Sequence, residues 1–195
     1  MLKSFLNLIL PPLCPLCTKD AEDGHLCQEC ISHIRLITSP LCTCCGVPFI
    51  SQQGEDHLCG ICIKKKMPFS SARSIGVYEG ALLDAIHRFK YNGKTFLAKP
   101  LVTIMDRSIT SNKISDLSVH SCDLIVPVPL HKTRLKERGF NQSLLLAREL
   151  ARLYNLSMDY MNLKRIRATD HQVNLKGKDR LINVKGAFAV GDKSA

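Results

Sequence analysis

The chain has 195 residues, 27 Lys and Arg against 17 Asp and Glu, a formal charge of +10, a mean hydropathy of +0.00 and 6% aromatic residues. That length holds one good core, or a small domain beside a larger one, and no apolar run approaches the roughly 18 residues of a membrane span. Ten cysteines, nine of them within the first 62 residues, favour the two-domain option.

Residues 1–10, MLKSFLNLIL, are the one candidate targeting segment. Their apolar core is short, no small-residue cleavage site follows, and Pro11 and Pro12 lead straight into a cysteine motif, so a short amphipathic helix is expected. Eight cysteines then form four C-x-x-C pairs, at Cys14/Cys17, Cys27/Cys30, Cys42/Cys45 and Cys59/Cys62. The pairs belong to an internal repeat: Pro12-Leu13-Cys14 recurs as Pro40-Leu41-Cys42, and His25-Leu26-Cys27 as His57-Leu58-Cys59. A C-x-x-C turn brings two sulfurs to one ion, and four thiolates make a soft, closed tetrahedral site, so the pattern predicts two zinc ions rather than a disulfide framework.

Sequential pairing puts Cys14, Cys17, Cys27 and Cys30 on one ion and Cys42, Cys45, Cys59 and Cys62 on the other; an interleaved arrangement, first pair with third, is the alternative. A closed site has no position for a reactive water. The metals are therefore structural, holding a segment of about 60 residues that has few large side chains for a core. Eight thiolates and two zinc ions bring the charge to about +6, which suits a phosphate-bearing small molecule and a nucleic acid equally well. His25 and His57 are expected spectators. Cys44 and Cys122 are expected to be reduced thiols, in keeping with a cytoplasmic setting.

Residues 63–71, IKKKMPFSS, combine a charge run with a Pro and two Ser, and read as the joint between a zinc domain (1–62) and a second domain (72–195). Residues 72–78 suit a short strand. Glu79 and Gly80 open a helical pattern carried by Leu82, Leu83, Ile86 and Phe89 and ending near Asn92 and Gly93. Arg88, Lys90 and Lys94 surround that glycine turn, as an exposed helix end or as a second phosphate contact. Residues 95–109 resume a helix, and residues 110–121 are polar and read as a loop.

The chain is organised around residues 123–141, DLIVPVPLHKTRLKERGFN. An apolar strand ends at Pro127 and Pro129, which cannot donate to a ladder. A cationic turn follows, with His131, Lys132, Arg134, Lys136 and Arg138, then Gly139 for the bend and Asn141 as an N-cap. Such a turn is either a solvated charge run or a phosphate cradle beside a helix N-terminus. Residues 142–154 repeat apolar Leu144, Ala147, Leu150 and Tyr154 at helical spacing, and a strand is expected at 159–163. Strand, helix and strand make a βαβ unit, so the second domain reads as α/β with a parallel sheet and a ligand outside the carboxyl ends of its strands. Residues 164–185 carry a net charge of +5 with little apolar periodicity and read as a functional loop; a last strand is expected at 187–190, and a turn at 191–195.

Taken together, the double C-x-x-C repeat, Tyr78-Glu79-Gly80, Phe89-Lys90-Tyr91-x-Gly93, the PVPLH and RLKERGFNQ stretches, His171-Gln172, Arg180-Leu181-x-Asn183 and Gly186-Ala187-Phe188 resemble the ComF family over nearly the whole chain. That family is associated with natural competence and places a phosphoribosyltransferase fold behind a double zinc ribbon. The resemblance implies a phosphoribosyl pyrophosphate-class ligand with magnesium. Displacing pyrophosphate builds charge on the leaving group, which cations and a metal must hold. By resemblance, Arg134 and Arg138 belong to the basic loop, Lys90 to the hood-side FKY motif, and Arg165, Arg167 and Arg180 to a mobile loop that covers the reaction.

Members of the family continue into a strand ending in two adjacent acids and a Thr-Thr-Gly loop. No such strand and loop occur here: Thr-Thr-Gly is absent, the adjacent acids Glu22-Asp23 and Glu55-Asp56 lie among the cysteine pairs, and Asp192 is the last acid. The expectation is a truncated or degenerate member with an incomplete ligand site, weak binding at best and no transferase activity. The competing expectation is a non-catalytic module that binds single-stranded DNA or docks a competence protein. Residues 164–185 contain none of the interleaved aromatics on which bases stack.

Overall fold

Each first-half knuckle of the repeat turns back on itself in the same way. Cys14 N–H donates to Lys19 O (2.7 Å) and Thr18 N–H to Cys14 O (2.9 Å); Cys42 N–H donates to Val47 O and Gly46 N–H to Cys42 O (both 2.9 Å). The residue four past the first cysteine takes a left-handed conformation in both, φ 61° at Thr18 and φ 70° at Gly46. The second half of each copy starts a short helix with a cysteine at its N-cap: Cys27 before α1 (Gln28–Ser32) and Cys59 before α2 (Gly60–Lys64).

The structure, a computed structural model, describes residues 11–22, 24–51, 53–110 and 122–191. The helix expected over 1–10, all but the first residue of the loop over 110–121, and all but the first residue of the turn over 191–195 lie outside the described residues. The chain forms two compact units, one from Met1–Arg88 and Lys99–Ser121 and one from Phe89–Ala98 and Cys122–Ala195, each taken over its described residues.

In the first unit the two knuckle repeats precede α3 (Gly80–Tyr91), and α4 (Ala98–Thr110) follows. Leu82 and Ala85 on α3 and Leu101, Val102, Ile104 and Ser108 on α4 are buried, as are Leu26, Ile34 and Leu41 from the knuckles. Arg88 joins helix and knuckle, pairing with Asp84 at 2.8 Å and donating to Pro15 O at 2.9 Å. Pro100 sits in the first turn of α4, where a missing N–H costs nothing. The strand expected over 72–78 does not form. That segment makes one bridge, Gly76 to Leu36, through Val77 N–H to Arg35 O at 2.8 Å and Ile37 N–H to Ile75 O at 3.0 Å, while Ala72 N–H donates to Cys44 O of the second knuckle at 2.7 Å.

The second unit begins at Phe89, in the last turn of α3, and continues through a 3-10 turn (Thr95–Leu97). It holds two small sheets. β1 (Leu124–Ile125) pairs in parallel with β2 (Ser157–Met158), Leu124 opposite Ser157. The crossover between them carries α5 (Lys132–Arg138) and α6 (Gln142–Tyr154). This is the expected βαβ unit, with two differences. Residues 132–138 are a helix rather than a turn, closed by Gly139 at φ 82°. The strand expected at 159–163 is a turn, because the Asp159 carboxylate accepts the N–H groups of Met161 (2.9 Å) and Asn162 (3.0 Å) and withdraws them from any ladder.

β3 (Leu163–Arg165) instead pairs antiparallel with β4 (Phe188–Val190), so the last strand joins a hairpin-like ladder and not the parallel sheet. The segment 164–185 is also more regular than a loop. It contains a 3-10 turn (Gln172–Asn174) and α7 (Gly177–Val184). Side chain to backbone bonds organise it instead of an apolar stripe, which is why periodicity did not reveal it: Asn183 exchanges bonds with Asp170 N–H (3.2 Å) and Asp170 O (3.1 Å). Among the described residues, no helix is long and apolar enough to cross a membrane.

Candidate functional site

The sulfurs of Cys14, Cys17, Cys27 and Cys30 lie within 4.8 Å of one another, and so do those of Cys42, Cys45, Cys59 and Cys62. Sequential pairing is therefore the one the fold adopts. Separations of 3.7 Å (Cys14–Cys30), 3.4 Å (Cys17–Cys27) and 3.8 Å (Cys45–Cys59) sit close to the edge of about 3.8 Å expected for four sulfurs at about 2.3 Å from one tetrahedral zinc. Backbone N–H groups point at the sulfurs: Cys30 at Cys27 Sγ, Cys45 at Cys42 Sγ (3.5 Å each) and Cys59 at Cys42 Sγ (3.3 Å).

Burial pushes the Cys14 thiol up, but the N–H groups of Cys27, Cys17 and Leu16 and the Cys17 side chain outweigh it and bring it to about 6. Cys42 follows the same pattern, burial being outweighed by the N–H groups of Cys59, Cys45 and Cys44 and by the Cys45 side chain, again to about 6. Burial and neighbouring sulfurs push Cys30 and Cys62 well above the ordinary thiol range. Each tetrad thus holds one sulfur prepared as a thiolate beside one that ionises only with a cation present. The donor sets fit two structural zinc ions, with no open coordination position. His57 stays out of its tetrad: its ring stacks on Phe49 at 4.1 Å, and its Nδ1 lies 2.9 Å from Glu55 O. Cys44 and the exposed Cys122 belong to neither tetrad.

The second unit contains the cationic residues singled out from the sequence. Helix α5 sorts them. Arg134 and Arg138, four residues apart, share one face and are half-buried, while Lys132 and Lys136 are exposed. His131 caps α5, its Nδ1 accepting from Thr133 N–H at 3.4 Å. The N-terminus of α6 is filled by Asn141, whose Oδ1 accepts Ser143 N–H at 3.0 Å and whose Nδ2 donates to Val128 O at 3.2 Å. The helix end considered as a phosphate cradle is thus occupied by its own cap, and the neighbouring arginines gather along the face of α5.

Two adjoining clefts lie along this face. One, of about 230 Å³, is lined by His131, Thr133, Arg134, Glu137, Arg165 and His171 among others. The other, of about 210 Å³, is lined by Lys90, Tyr91, Arg134, Glu137, Arg138 and His171 among others. Arg134, Glu137 and His171 border both. Lys90, Arg134, Arg138 and Arg165 are thus gathered around one cationic hollow. Arg167 and Arg180 are not: Arg167 donates to Asn183 O (2.9 Å) and Lys185 O (2.7 Å), and Arg180 to Leu175 O (2.7 Å), bracing their own segment.

The two outer arginines rest on aromatic rings. Arg138 Cζ lies 5.2 Å from the Tyr91 centroid and donates to Gln142 Oε1 at 2.7 Å. Arg165 Cζ lies 5.5 Å from the Phe188 centroid and donates to Thr169 Oγ1. Both hydrogen-bond neutral acceptors, which leaves their charge uncompensated by those contacts. Burial, then the Arg138 charge, pulls the Lys90 ammonium below its ordinary value; burial, then Arg134 and Arg167, lowers Arg165. The buried Arg165 Nε has no hydrogen-bond partner among the described residues. Crowded cations with an orphaned donor are what an anion would stabilise. Glu137, His171, Tyr91 and Phe188 were not among the site residues expected from the sequence. Their signal was membership of the motifs, His171, Tyr91 and Phe188 within the quoted stretches and Glu137 between the two arginines.

Comparison with known proteins agrees with both halves. The Double zinc ribbon domain family matches residues 5–63. "DNA utilization protein YhgH" of Salmonella typhi is 33% identical over 184 residues, covering 93% of this chain and 78% of that protein. "Competence protein F" of Haemophilus influenzae is 31% identical, covering 87% of this chain and 71% of that protein, and "Competence protein ComFC" of Bacillus subtilis is 30% identical, covering 67% and 53%. No solved structure matches the chain. With two cysteine tetrads ahead of an α/β unit, and relatives matched along most of their length, this chain belongs to the ComF family.

Proposed function

We propose that the chain binds a phosphoribosyl pyrophosphate-class anion together with magnesium, in the hollow bordered by Lys90, Arg134, Arg138 and Arg165. The gathering of these four cations along one face of α5 carries the reading. Arg134, Arg138 and Arg165 offer planar donor forks that suit phosphate oxygens, and Lys90 adds a point charge. Magnesium, when bound, neutralises part of the phosphate charge and is held through one or two carboxylates plus the phosphates. Glu137 is the acid that lines the hollow and fits that need. Arg167 and Arg180 hold the segment that carries His171.

The relatives' printed names concern DNA utilization and competence, and we extend that link to this chain, with the zinc-ribbon unit as a folding scaffold or docking surface. Calorimetric titration of the zinc-loaded chain with phosphoribosyl pyrophosphate and magnesium tests the proposal. Saturable binding, weakened at least about 10-fold by Arg134→Ala with Arg138→Ala, is expected. Absence of binding, together with a steeply salt-dependent affinity for single-stranded DNA, would favour a nucleic-acid module instead.

A further inference from the structure

The hollow contains one feature that a simple anion site would avoid. Among the described residues lining the two clefts, Glu137 is the only acid, and it borders both of them. Its Oε2 lies 3.3 Å from Arg134 Nη1, three residues back on α5, with the carboxylate side chain 63% exposed. An exposed pair of that spacing contributes little to stability. Arg152 and Glu149 make a similar pair on α6 at 3.5 Å. What sets Glu137 apart is its place between Arg134 and Arg138 on α5, in a hollow where Arg138 and Arg165 donate to neutral acceptors. Helix geometry alone did not require an acid there.

A carboxylate in the middle of a phosphate site repels a bare polyanion and competes with it for Arg134. Toward a phosphate that carries a divalent cation its effect reverses, because hard divalent ions take carboxylate and phosphate oxygens together. We infer that Glu137 makes the hollow selective for a metal-chelated diphosphate over the metal-free anion, by supplying the protein's own oxygen ligand to the cation. This rests on the phosphate-binding reading above and adds the form of the ligand that is recognised. Glu137 is a specificity-determining residue in this account.

The test titrates inorganic pyrophosphate into the zinc-loaded chain, with magnesium or with magnesium omitted, for the unaltered protein, Glu137→Gln and Glu137→Asp, each checked by thermal melting. The unaltered protein is expected to prefer the magnesium form by about 10-fold or more. Glu137→Gln should bind the metal-free anion more tightly than the unaltered protein and lose the preference, and Glu137→Asp should retain it. An unchanged magnesium preference in Glu137→Gln overturns the inference while leaving the site intact. No pyrophosphate binding by any of the proteins, in either condition, overturns the inference and the phosphate-binding reading together.

Discussion

The Arg165 guanidinium lies over the Phe188 ring, 5.5 Å from its centroid, and the two residues stand opposite each other in the β3–β4 ladder. Paired positions of an antiparallel ladder project to the same face, so the register of this small sheet aims a cleft cation. Replacing Phe188 by Leu keeps an apolar ladder partner and removes the ring. The expected outcome is pyrophosphate binding weakened about 2–5-fold, the equivalent of an exposed cation–π contact, with zinc content unchanged. Titration of the variant checks it; binding equal to the unaltered protein would show that the ring does not position Arg165.

Metal content separates the two tetrads. Cys14→Ser is expected to reduce zinc from about two per chain to about one and to expose Cys27 and Cys30 to alkylation, while Cys59 and Cys62 stay protected. Elemental analysis and mass mapping of the alkylated peptides read this out. Alkylation of Cys42 and Cys45 in the same variant would overturn the sequential pairing.

Zinc uptake should depend on pH in a particular direction. Cys14 and Cys42, held at about 6, are largely thiolates at neutral pH in the metal-free chain, whereas Cys30 and Cys62 remain protonated. Binding at pH 7 is therefore expected to release fewer than four protons per zinc ion. Affinity should rise with pH, and go on rising through the ordinary thiol range, because protons held on Cys30 and Cys62 compete with the metal. On the acid side, falling through pH 6 protonates Cys14 and Cys42 as well and the metal is lost. Calorimetry in buffers of different ionisation enthalpy counts the protons; a pH-independent affinity would refute the scheme.

The repeat offers a paired stability test. Gly46 holds φ 70°, and a Cβ there would meet Ala72 O at 2.4 Å, so Gly46→Ala is expected to destabilise by at least about 1–2 kcal/mol. Thr18 occupies the equivalent place at φ 61° with a side chain, its Oγ1 donating to Cys17 O at 2.6 Å. Thr18→Gly should be neutral or stabilising, since relief of the left-handed strain opposes loss of one exposed hydrogen bond. Thermal melts of the zinc-loaded variants decide; equal effects at the two sites would mean that neither backbone strain nor the Ala72 contact matters.

Local chemistry made much of this protein legible in its sequence. Four C-x-x-C pairs name their metal because the ligand spacing lies within a single turn, and α6 with its Asn141 cap and βαβ setting follows from a regular apolar period and a short-range hydrogen bond. The family motifs identified Lys90, Arg134, Arg138 and Arg165 in the same local way. Charge density hid α5, whose cations masked its helical character, and side chain to backbone bonding hid α7 and replaced a strand by the Asp159 turn.

Only the tertiary structure decided which cations lie together. Proximity between residues as distant as Lys90, Arg134 and Arg165 depends on how α3, α5 and β3 are placed, and no local spacing encodes it. The same applies to tetrad pairing, which sequence left open between two arrangements, and to the antiparallel partnership of β3 and β4. The spacing between Arg134 and Arg138 became meaningful once residues 132–138 were known to be helical. In a turn the two side chains have no defined relation; on a helix they share a face, with Glu137 beside them, and a run of charge becomes the lining of a cationic hollow.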